Sequence, residues 1–309
     1  MEKEPLIYLD GSFVEKSKAV VSVFDHGLLY GDGVFEGIRA YSGSVFRLVD
    51  HVDRLYDSAR SIHMQLPMSK EQMTQAILET LRRNRLRDAY IRLVVTRGAG
   101  DLGVDPSLCK APTIFIIAEP MASTLGPREP KVLRLITSSV RRDAVDATSH
   151  EIKSLNYMNS ILAKIEANAA GADDCIMLDH RGFVSEASVS NVFIVKKGKV
   201  STPSSGAGIL HGITRSRVLR LCLDLGIDVQ ERDVTPFDLS TADEVFLVGT
   251  KAEVVAVGSI GGLKVGDGGA GPLTQRIYQE FGRMVQRPEE GTPIYGSESG
   301  QRVKASQKA

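Results

Sequence analysis

The chain has 309 residues, of which 42% are hydrophobic and 25% charged, and its 38 basic and 38 acidic residues leave no net charge. This composition is typical of a globular protein with room for two domains, and it lacks the clustered basic excess by which proteins bind nucleic acids or anionic membranes. The 3 cysteines lie far apart without a Cys-x-x-Cys spacing, and no stretch resembles a signal core or a bilayer span, so we expect a cytoplasmic protein without disulfides or a metal site.

Short strands and a glycine-rich segment are predicted near the N-terminus. Leu6 to Val14 contains two strands around an Asp-Gly turn. From Asp25 to Arg39 glycines alternate with large side chains, so the backbone can pack closely while Tyr30, Phe35 and Arg39 are aimed to one side. The same pattern also fits a plain bend in a sheet.

Two amphipathic helices and a second glycine-rich turn follow. Apolar spacing predicts helices from Leu48 to Ser61 and from Lys70 to Asn84, ahead of a strand from Tyr90 to Thr96. The turn from Arg97 to Pro106 formally matches a dinucleotide-binding fingerprint, but an aspartate and a proline interrupt it where a helix should begin. The proline-rich residues 119–130 are the best linker in the chain.

A single lysine stands in a polar loop just before a strongly helical run. The loop extends from Ser149 to Asn159, and the run from Ile161 to Ala170 has good helix formers and helical apolar spacing. A lysine held among apolar groups loses its charge more easily than one in water, and a neutral amine can form a Schiff base. Taken alone, the segment favours a solvated surface residue at Lys153, as most lysines are.

Three polar features in the C-terminal half suit a bound ligand. Glu186 lies among small and apolar residues of a predicted strand, where an isolated glutamate is usually solvated. Residues 212–214 precede a helix, whose first N–H groups can bind an anion or simply be capped. Thr250 follows a strand at a Gly-Thr turn.

The lysine segment carries a family resemblance. Lys153–Tyr157 followed by Asn159–Ala163 resembles the lysine segment of class IV aminotransferases, in particular the branched-chain aminotransferase group, and the resemblance covers nearly the whole chain. It implies the α+β, two-domain fold type IV of pyridoxal-phosphate-dependent transferases, with the cofactor at the domain interface. The expected division is a small domain over residues 1–120, a linker over 121–130, a large cofactor-binding domain over 131–288 and a mobile tail over 289–309.

The resemblance implies pyridoxal 5'-phosphate as the cofactor and Lys153 as the catalytic residue that holds it. A carboxylate such as Glu186 would keep the pyridine nitrogen protonated, and the planar guanidinium of Arg54 would bind two phosphate oxygens. The implied cofactor contacts are Arg54, Lys153, Tyr157, Glu186, Leu210, Ile213, Thr214 and Thr250. The implied substrate contacts are Tyr30, Phe35, Arg39, Tyr90, Arg92 and Lys251.

The implied reaction is the transfer of the amino group of L-leucine, L-isoleucine or L-valine to 2-oxoglutarate by a ping-pong mechanism. In the family the turn from Arg97 to Pro106 reaches a neighbouring subunit's site, so we expect a homo-oligomer, at least a dimer. D-amino-acid aminotransferases, (R)-selective amine transaminases and aminodeoxychorismate lyases share this fold, but the Arg-x-His expected of a D-specific enzyme is absent near Arg92. A non-catalytic cofactor- or nucleotide-binding protein is a more distant alternative.

Overall fold

The computed structural model of the chain describes residues 4–126 and 129–296, which form two β-sheets with flanking helices. The strands are β1 (Leu6–Leu9), β2 (Ser12–Glu15), β3 (Gly33–Tyr41), β4 (Ser44–Phe46), β5 (Ala89–Thr96), β6 (Thr113–Pro120), β7 (Val132–Thr137), β8 (Asp174–Leu178), β9 (Val184–Ala187), β10 (Asn191–Lys196), β11 (Lys199–Pro203), β12 (Val229–Arg232), β13 (Glu244–Gly249), β14 (Glu253–Ile260), β15 (Leu263–Lys264) and β16 (Gly291–Pro293). The α-helices are α1 (His26–Tyr30), α2 (Leu48–Ser61), α3 (Lys70–Arg83), α4 (Met158–Ala169), α5 (Ile213–Asp224), α6 (Pro236–Ser240) and α7 (Pro272–Met284). Within these ranges no helix combines the length and apolar character needed to cross a membrane.

The first sheet has seven antiparallel strands in the order β16-β4-β3-β5-β6-β1-β2. Its longest pairings join β5 to β3 and to β6. Helices α2 and α3 cover one face, where their apolar stripes bury residues such as Leu55 and Ile77, and a capping box of Ser69 and Gln72 starts α3. The two predicted helices in this region are thereby confirmed.

The second sheet has nine strands in the order β12-β11-β10-β13-β14-β7-β8-β9, with β15 added beside β14. Parallel pairing occurs between β7 and its two neighbours and between β11 and β12, while the other pairs are antiparallel. Helices α5 and α7 pack on one face around the stacked rings of Phe193 and Phe246, whose centroids are 5.0 Å apart. The two sheets are consistent with two domains, and the limits at residues 120 and 131 stay a prediction.

The chain after α7 corrects the expected mobile tail. Gly291–Pro293 pairs with β4 and so adds the edge strand β16 to the first sheet. Ile294 is fully buried, and the Glu290 carboxylate binds Arg47 and Arg217. Ion pairs and strand pairing therefore order residues 289–296 despite their polar composition, while residues 297–309 lie outside the described residues.

The loop that carries Lys153 is fastened to the first sheet. The Phe35 N–H donates to the Lys153 carbonyl at 3.0 Å, and the Leu155 N–H donates to the Gly33 carbonyl at 2.9 Å. These bonds lay the loop along the start of β3, immediately before α4 begins at Met158. The lysine is consequently held where elements of the two sheets meet.

Candidate active site

A cavity of about 450 Å³ lies where the two sheets meet. One side of the cavity is lined by elements of the first sheet and its helices, namely β3, β5 and α2. The rest is lined by the Lys153 loop, β9, the start of α5 and the β13–β14 hairpin. Most of the predicted site residues line this cavity, namely Phe35, Arg54, Tyr90, Arg92, Lys153, Tyr157, Glu186, Leu210, Ile213, Thr214, Thr250 and Lys251.

Lys153 is held by its backbone, which leaves its amine in the cavity. Its N–H donates to Ser58 Oγ at 3.1 Å, and its Nζ lies 3.4 Å from Tyr157 Oη and 4.6 Å from the centre of the Phe35 ring. Burial and the positive charge of Arg54 lower the pKa of Lys153 from 10.5 to about 8. A useful fraction of this amine is neutral near neutral pH, so it can attack a carbonyl carbon.

Tyr157 stands at the N-cap of α4, four residues after Lys153. Its ring packs edge-on against Phe35, with centroids 5.1 Å apart, and lies 5.8 Å from the His150 ring. Burial and the nearby Glu186 raise the pKa of Tyr157. Its hydroxyl therefore stays protonated and is available as a hydrogen-bond donor in the cavity.

Glu186 is a nearly fully buried carboxylate on β9 with four polar neighbours. Oε2 accepts hydrogen bonds from Asn191 Nδ2 at 2.9 Å and from the Leu210 N–H at 3.3 Å. Oε1 lies 3.4 Å from Arg142 Nη2 and 3.3 Å from His150 Nε2. Burial raises the pKa of Glu186, and Arg142 opposes that rise. The carboxyl can therefore share a proton with a basic nitrogen placed against it.

One end of the cavity suits an anion, and Arg54 forms one side of this anion end. It donates through Nε and Nη2 to the two carboxylate oxygens of Glu36, at 2.7 and 2.9 Å. Its Nη1 donates to the backbone carbonyl of His211 at 2.9 Å. The guanidinium is thus fixed between β3 and the segment that leads into α5.

The start of α5 forms the opposite side of this anion end. The helix begins at Ile213, and its N-cap, Gly212, has no side chain with which to bind the first N–H groups. Helix-start N–H groups and the Thr214 hydroxyl attract negative charge, with Thr250 nearby on the cavity wall. A Cβ at position 212 would lie 2.1 Å from Asn191 Oδ1, so glycine is needed for this close approach.

Aromatic and cationic side chains from β5 line another part of the cavity. Arg92 Nη2 donates to Tyr90 Oη at 3.2 Å, and the guanidinium carbon lies 4.4 Å above the Phe35 ring. Gly37 makes room for the tyrosine, because a Cβ there would be 2.4 Å from its Oη. Lys251 adds a further cation, with Nζ 5.9 Å from the centre of the Tyr90 ring.

Tyr30 and Arg39 do not line the cavity of this chain, and their expected substrate contacts stay a prediction. Tyr30 lies on the surface at the end of α1, where its Oη accepts a hydrogen bond from the Gly103 N–H at 2.9 Å. Arg39 is buried, with Nη2 3.4 Å from Glu253 Oε1 and 3.3 Å from the Met121 carbonyl. It shares a face of β3 with Phe35, but the β13–β14 hairpin covers it.

Several residues of the site received no role from the sequence. Glu36 is the acidic residue of β3, a strand that is buried at every position. A carboxylate in such a strand is rare unless it is paired, so its charge could have indicated a role. Arg142 and His150 lie in a polar loop without periodicity, so nothing in the sequence distinguished them from solvated residues. Asn191, which follows Glu186 by five residues and donates to it, also received no role.

The arrangement suits an aldehyde cofactor that carries a ring nitrogen and a phosphate. Lys153 supplies an amine with a lowered pKa, and Glu186 supplies a buried carboxyl for the nitrogen. Arg54 and the uncapped start of α5 supply donors for the phosphate. All three features line one cavity, and together they fit pyridoxal phosphate.

Comparisons with known proteins agree with this arrangement. The sequence model of the amino-transferase class IV family matches residues 33–260. A Methanocaldococcus jannaschii protein, provisionally named a branched-chain-amino-acid aminotransferase, is 55% identical over 275 residues, which are 89% of this chain and 94% of that protein. The branched-chain-amino-acid aminotransferase of Pseudomonas aeruginosa is 37% identical, over 92% of this chain and 94% of its own. The T.th. branched-chain amino acid aminotransferase, solved with pyridoxamine 5'-phosphate and with N-(5'-phosphopyridoxyl)-L-glutamate, superposes with a TM-score of 0.90 at 40% identity, covering 95% of this chain and 99% of that one.

Proposed function

Because the chain belongs to the class IV aminotransferase family and is a pyridoxal-phosphate-dependent aminotransferase of fold type IV, we propose that it transfers the amino group of L-leucine, L-isoleucine or L-valine to 2-oxoglutarate. The products are the branched 2-oxo acid and L-glutamate. The observation that carries this proposal is the lysine with a lowered pKa in a cavity that has both an aromatic wall and a cationic one. The names of the relatives supply the branched-chain substrate class.

Pyridoxal phosphate, when bound, withdraws electrons from the substrate's Cα and so makes its proton acidic. We propose that Lys153 holds the cofactor's aldehyde carbon and Glu186 its ring nitrogen. Arg54, Thr250 and the start of α5 at Ile213 and Thr214 would bind its phosphate. Tyr157 would donate to its phenolic oxygen, and Leu210 would line the ring while fixing Glu186 through its N–H.

Lys153 is also the proposed acid and base of the reaction. Its Nζ would take the proton from the substrate Cα and would hold it for return in the later part of the reaction. The lowered pKa keeps this amine partly neutral under working conditions, as a base must be. The hydroxyl of Tyr157, 3.4 Å from Nζ, holds the amine in place during the transfer.

The two walls of the cavity account for substrates with very different side chains. The rings of Phe35 and Tyr157 form an apolar surface for a branched aliphatic group. Tyr90, Arg92 and Lys251 lie around another part of the cavity and would bind carboxylates, including the second carboxylate of glutamate and 2-oxoglutarate. A single cavity can then accept leucine and glutamate in turn because their side chains use different walls.

A homodimer completes this proposal. Apolar side chains are exposed around α1 and on the nearby glycine-rich turn, including Val23, Leu28, Leu102 and Val104. Ile161, on the cavity lining, is also 49% exposed, so a second subunit would cover apolar surface at the cavity mouth. We propose that Tyr30 and the turn from Arg97 to Pro106 act on the partner's site, in a cytoplasmic enzyme whose 3 cysteines are free in the structure.

The test is the visible absorbance of the purified enzyme. L-leucine should bleach the yellow colour of the bound cofactor, and 2-oxoglutarate should restore it. Bleaching by D-alanine alone would move the assignment to the D-amino-acid enzymes of the same fold. Bleaching only by a primary amine such as (R)-1-phenylethylamine would favour an amine transaminase. A protein unable to bind pyridoxal phosphate would contradict the whole proposal.

A further inference from the structure

Three side chains form a buried charged cluster behind the anion end of the cavity. Glu36 is fully buried and accepts hydrogen bonds from Arg54 Nε at 2.7 Å and Nη2 at 2.9 Å. His51 Nδ1 lies 2.7 Å from Glu36 Oε2, which is also the acceptor for Arg54 Nη2. No solvent reaches this carboxylate, so its three hydrogen bonds are the interactions that compensate its burial.

The protonation of the cluster follows from its surroundings. Burial alone would raise the pKa of Glu36, but Arg54 and His51 hold it at about 2. Burial lowers the pKa of His51, so its ring is neutral near pH 7 and must donate through Nδ1 to the carboxylate. Glu36 and Arg54 therefore form a paired anion and cation, and His51 contributes a neutral donor.

Hydrogen bonds to the described residues use only some of the N–H groups of Arg54. A guanidinium has about five N–H groups in a fixed plane. In the described part of the chain, Nε and one Nη2 hydrogen bind Glu36, and one Nη1 hydrogen binds the His211 carbonyl. One N–H on Nη1 and one on Nη2 remain for a ligand. Both lie in the guanidinium plane, and charged N–H donors of this kind bind phosphate oxygens strongly.

The backbone explains how the cluster reaches the cavity. On β3, Phe35 and Gly37 line the cavity, so Glu36 between them points to the opposite face, which α2 covers. His51 and Arg54 are three residues apart on α2 and so lie on one side of that helix. One strand therefore presents an aromatic wall to the substrate and a carboxylate to the arginine.

We propose that Glu36, assisted by His51, is a positioning residue that fixes the Arg54 guanidinium so that its two remaining N–H groups face the cofactor phosphate. This inference rests on the proposed phosphate role of Arg54. Glu36 does not line the cavity, and its negative charge on its own would repel the phosphate. If Glu36 orients Arg54, removing its charge should weaken the binding of pyridoxal phosphate. If its charge mainly repels the phosphate, removing it should strengthen binding. The direction of the change in Kd therefore distinguishes the two effects.

The test is the affinity of the full-length, cofactor-free protein for pyridoxal phosphate and for pyridoxal, which lacks the phosphate. Glu36→Gln should raise the Kd for pyridoxal phosphate about tenfold, corresponding to the loss of one charge-assisted hydrogen bond, and change the Kd for pyridoxal less than about twofold. The matched control is Glu244→Gln, because Glu244 is also buried and also accepts hydrogen bonds, from Leu273 and Thr274, away from the cavity. It should change neither Kd by more than about twofold.

Two further variants keep the test decisive if Glu36→Gln does not fold. His51→Leu removes the Nδ1 donor and should weaken pyridoxal phosphate binding about threefold, whereas His51→Asn keeps an amide donor at that position and should largely restore it. Equal losses for pyridoxal phosphate and pyridoxal would overturn the positioning role, as would tighter phosphate binding in Glu36→Gln. Arg54→Lys tests the premise separately, since unchanged discrimination between the two ligands there would refute the phosphate role of Arg54 itself.

Discussion

Replacing Lys153 with methionine should abolish transamination and at the same time stabilise the cofactor-free protein at pH 7. Methionine has a similar length and no charge, so the substitution removes the amine without opening a large cavity. In the folded protein burial and Arg54 lower the pKa of Lys153 from 10.5 to about 8. The charged amine is therefore a destabilising group at pH 7, and the proposed catalytic role of Lys153 would explain why it is there.

The magnitude follows from this shift. Each pKa unit corresponds to about 1.4 kcal/mol, so the charged amine costs the folded state about 3 kcal/mol at pH 7, where it is protonated in both the folded and the unfolded state. The contact of Nζ with the Phe35 ring, 4.6 Å away, offsets about 1 kcal/mol of this. Lys153→Met should therefore raise the free energy of unfolding by about 2 kcal/mol at pH 7.

The increase in the free energy of unfolding caused by Lys153→Met should also depend on pH. Between about pH 8 and pH 10.5 the unfolded chain keeps the lysine proton while the folded protein releases it, so the stability of the wild type rises with pH. The advantage of Lys153→Met should shrink across that window and vanish near its upper end. The penalty is nearly complete at pH 7, because the amine is mostly charged in the folded state there and fully charged in the unfolded state.

Urea unfolding of the cofactor-free proteins, followed by circular dichroism at pH 7 and pH 10.5, measures both effects. Lys251→Met is the matched control, since this exposed lysine lines the same cavity and its loss should change stability little. A Lys153→Met protein no more stable than wild type at pH 7, or with an equal advantage at both pH values, would refute the reasoning. Transamination by this variant would contradict the assignment of Lys153.

Two other substitutions test the ring-nitrogen and substrate parts of the site. Glu186→Gln should leave the cofactor bound but slow Cα proton transfer at least about 100-fold, since a neutral amide cannot hold a proton on the pyridine nitrogen; single-turnover absorbance measures the rate, and an unchanged rate would remove Glu186 from the mechanism. Gly37→Ala would place a Cβ 2.4 Å from Tyr90 Oη and displace that hydroxyl. It should raise KM for both amino acid and 2-oxo acid about tenfold with a smaller effect on kcat, whereas an unchanged KM would argue against Tyr90 as a carboxylate contact.

Local patterns in the sequence predicted much of the fold because they act within one element. The apolar stripes of α2 and α3 follow the helical period and are buried as that period requires. The strand Tyr90–Thr96 was also predicted, since it alternates and is rich in β-branched residues. The ordered residues 289–296 were missed because β16 forms by pairing with β4, and no local pattern encodes a partner so far away in the chain.

The same distinction separates the predicted from the unpredicted parts of the site. Lys153 and Glu186 were found because their segments resemble those of a known family, and both line the cavity. Glu186 is paired with Arg142 and His150. These two residues come from a loop whose conformation depends on tertiary contacts. Glu36 required the packing of α2 on β3 before its role could be inferred.

Arg39 shows where inference along one strand ends. Period-2 alternation correctly puts it on the same face of β3 as Phe35 and Gly37, which line the cavity. How far the cavity extends along that face is decided by Glu253, at the start of β14, whose carboxylate pairs with Arg39 and also accepts a hydrogen bond from Ser123. A residue more than 200 positions away thus turns a potential substrate ligand into a contact between the two sheets. Such an assignment depends on the position of the second sheet, which the sequence of the first does not contain.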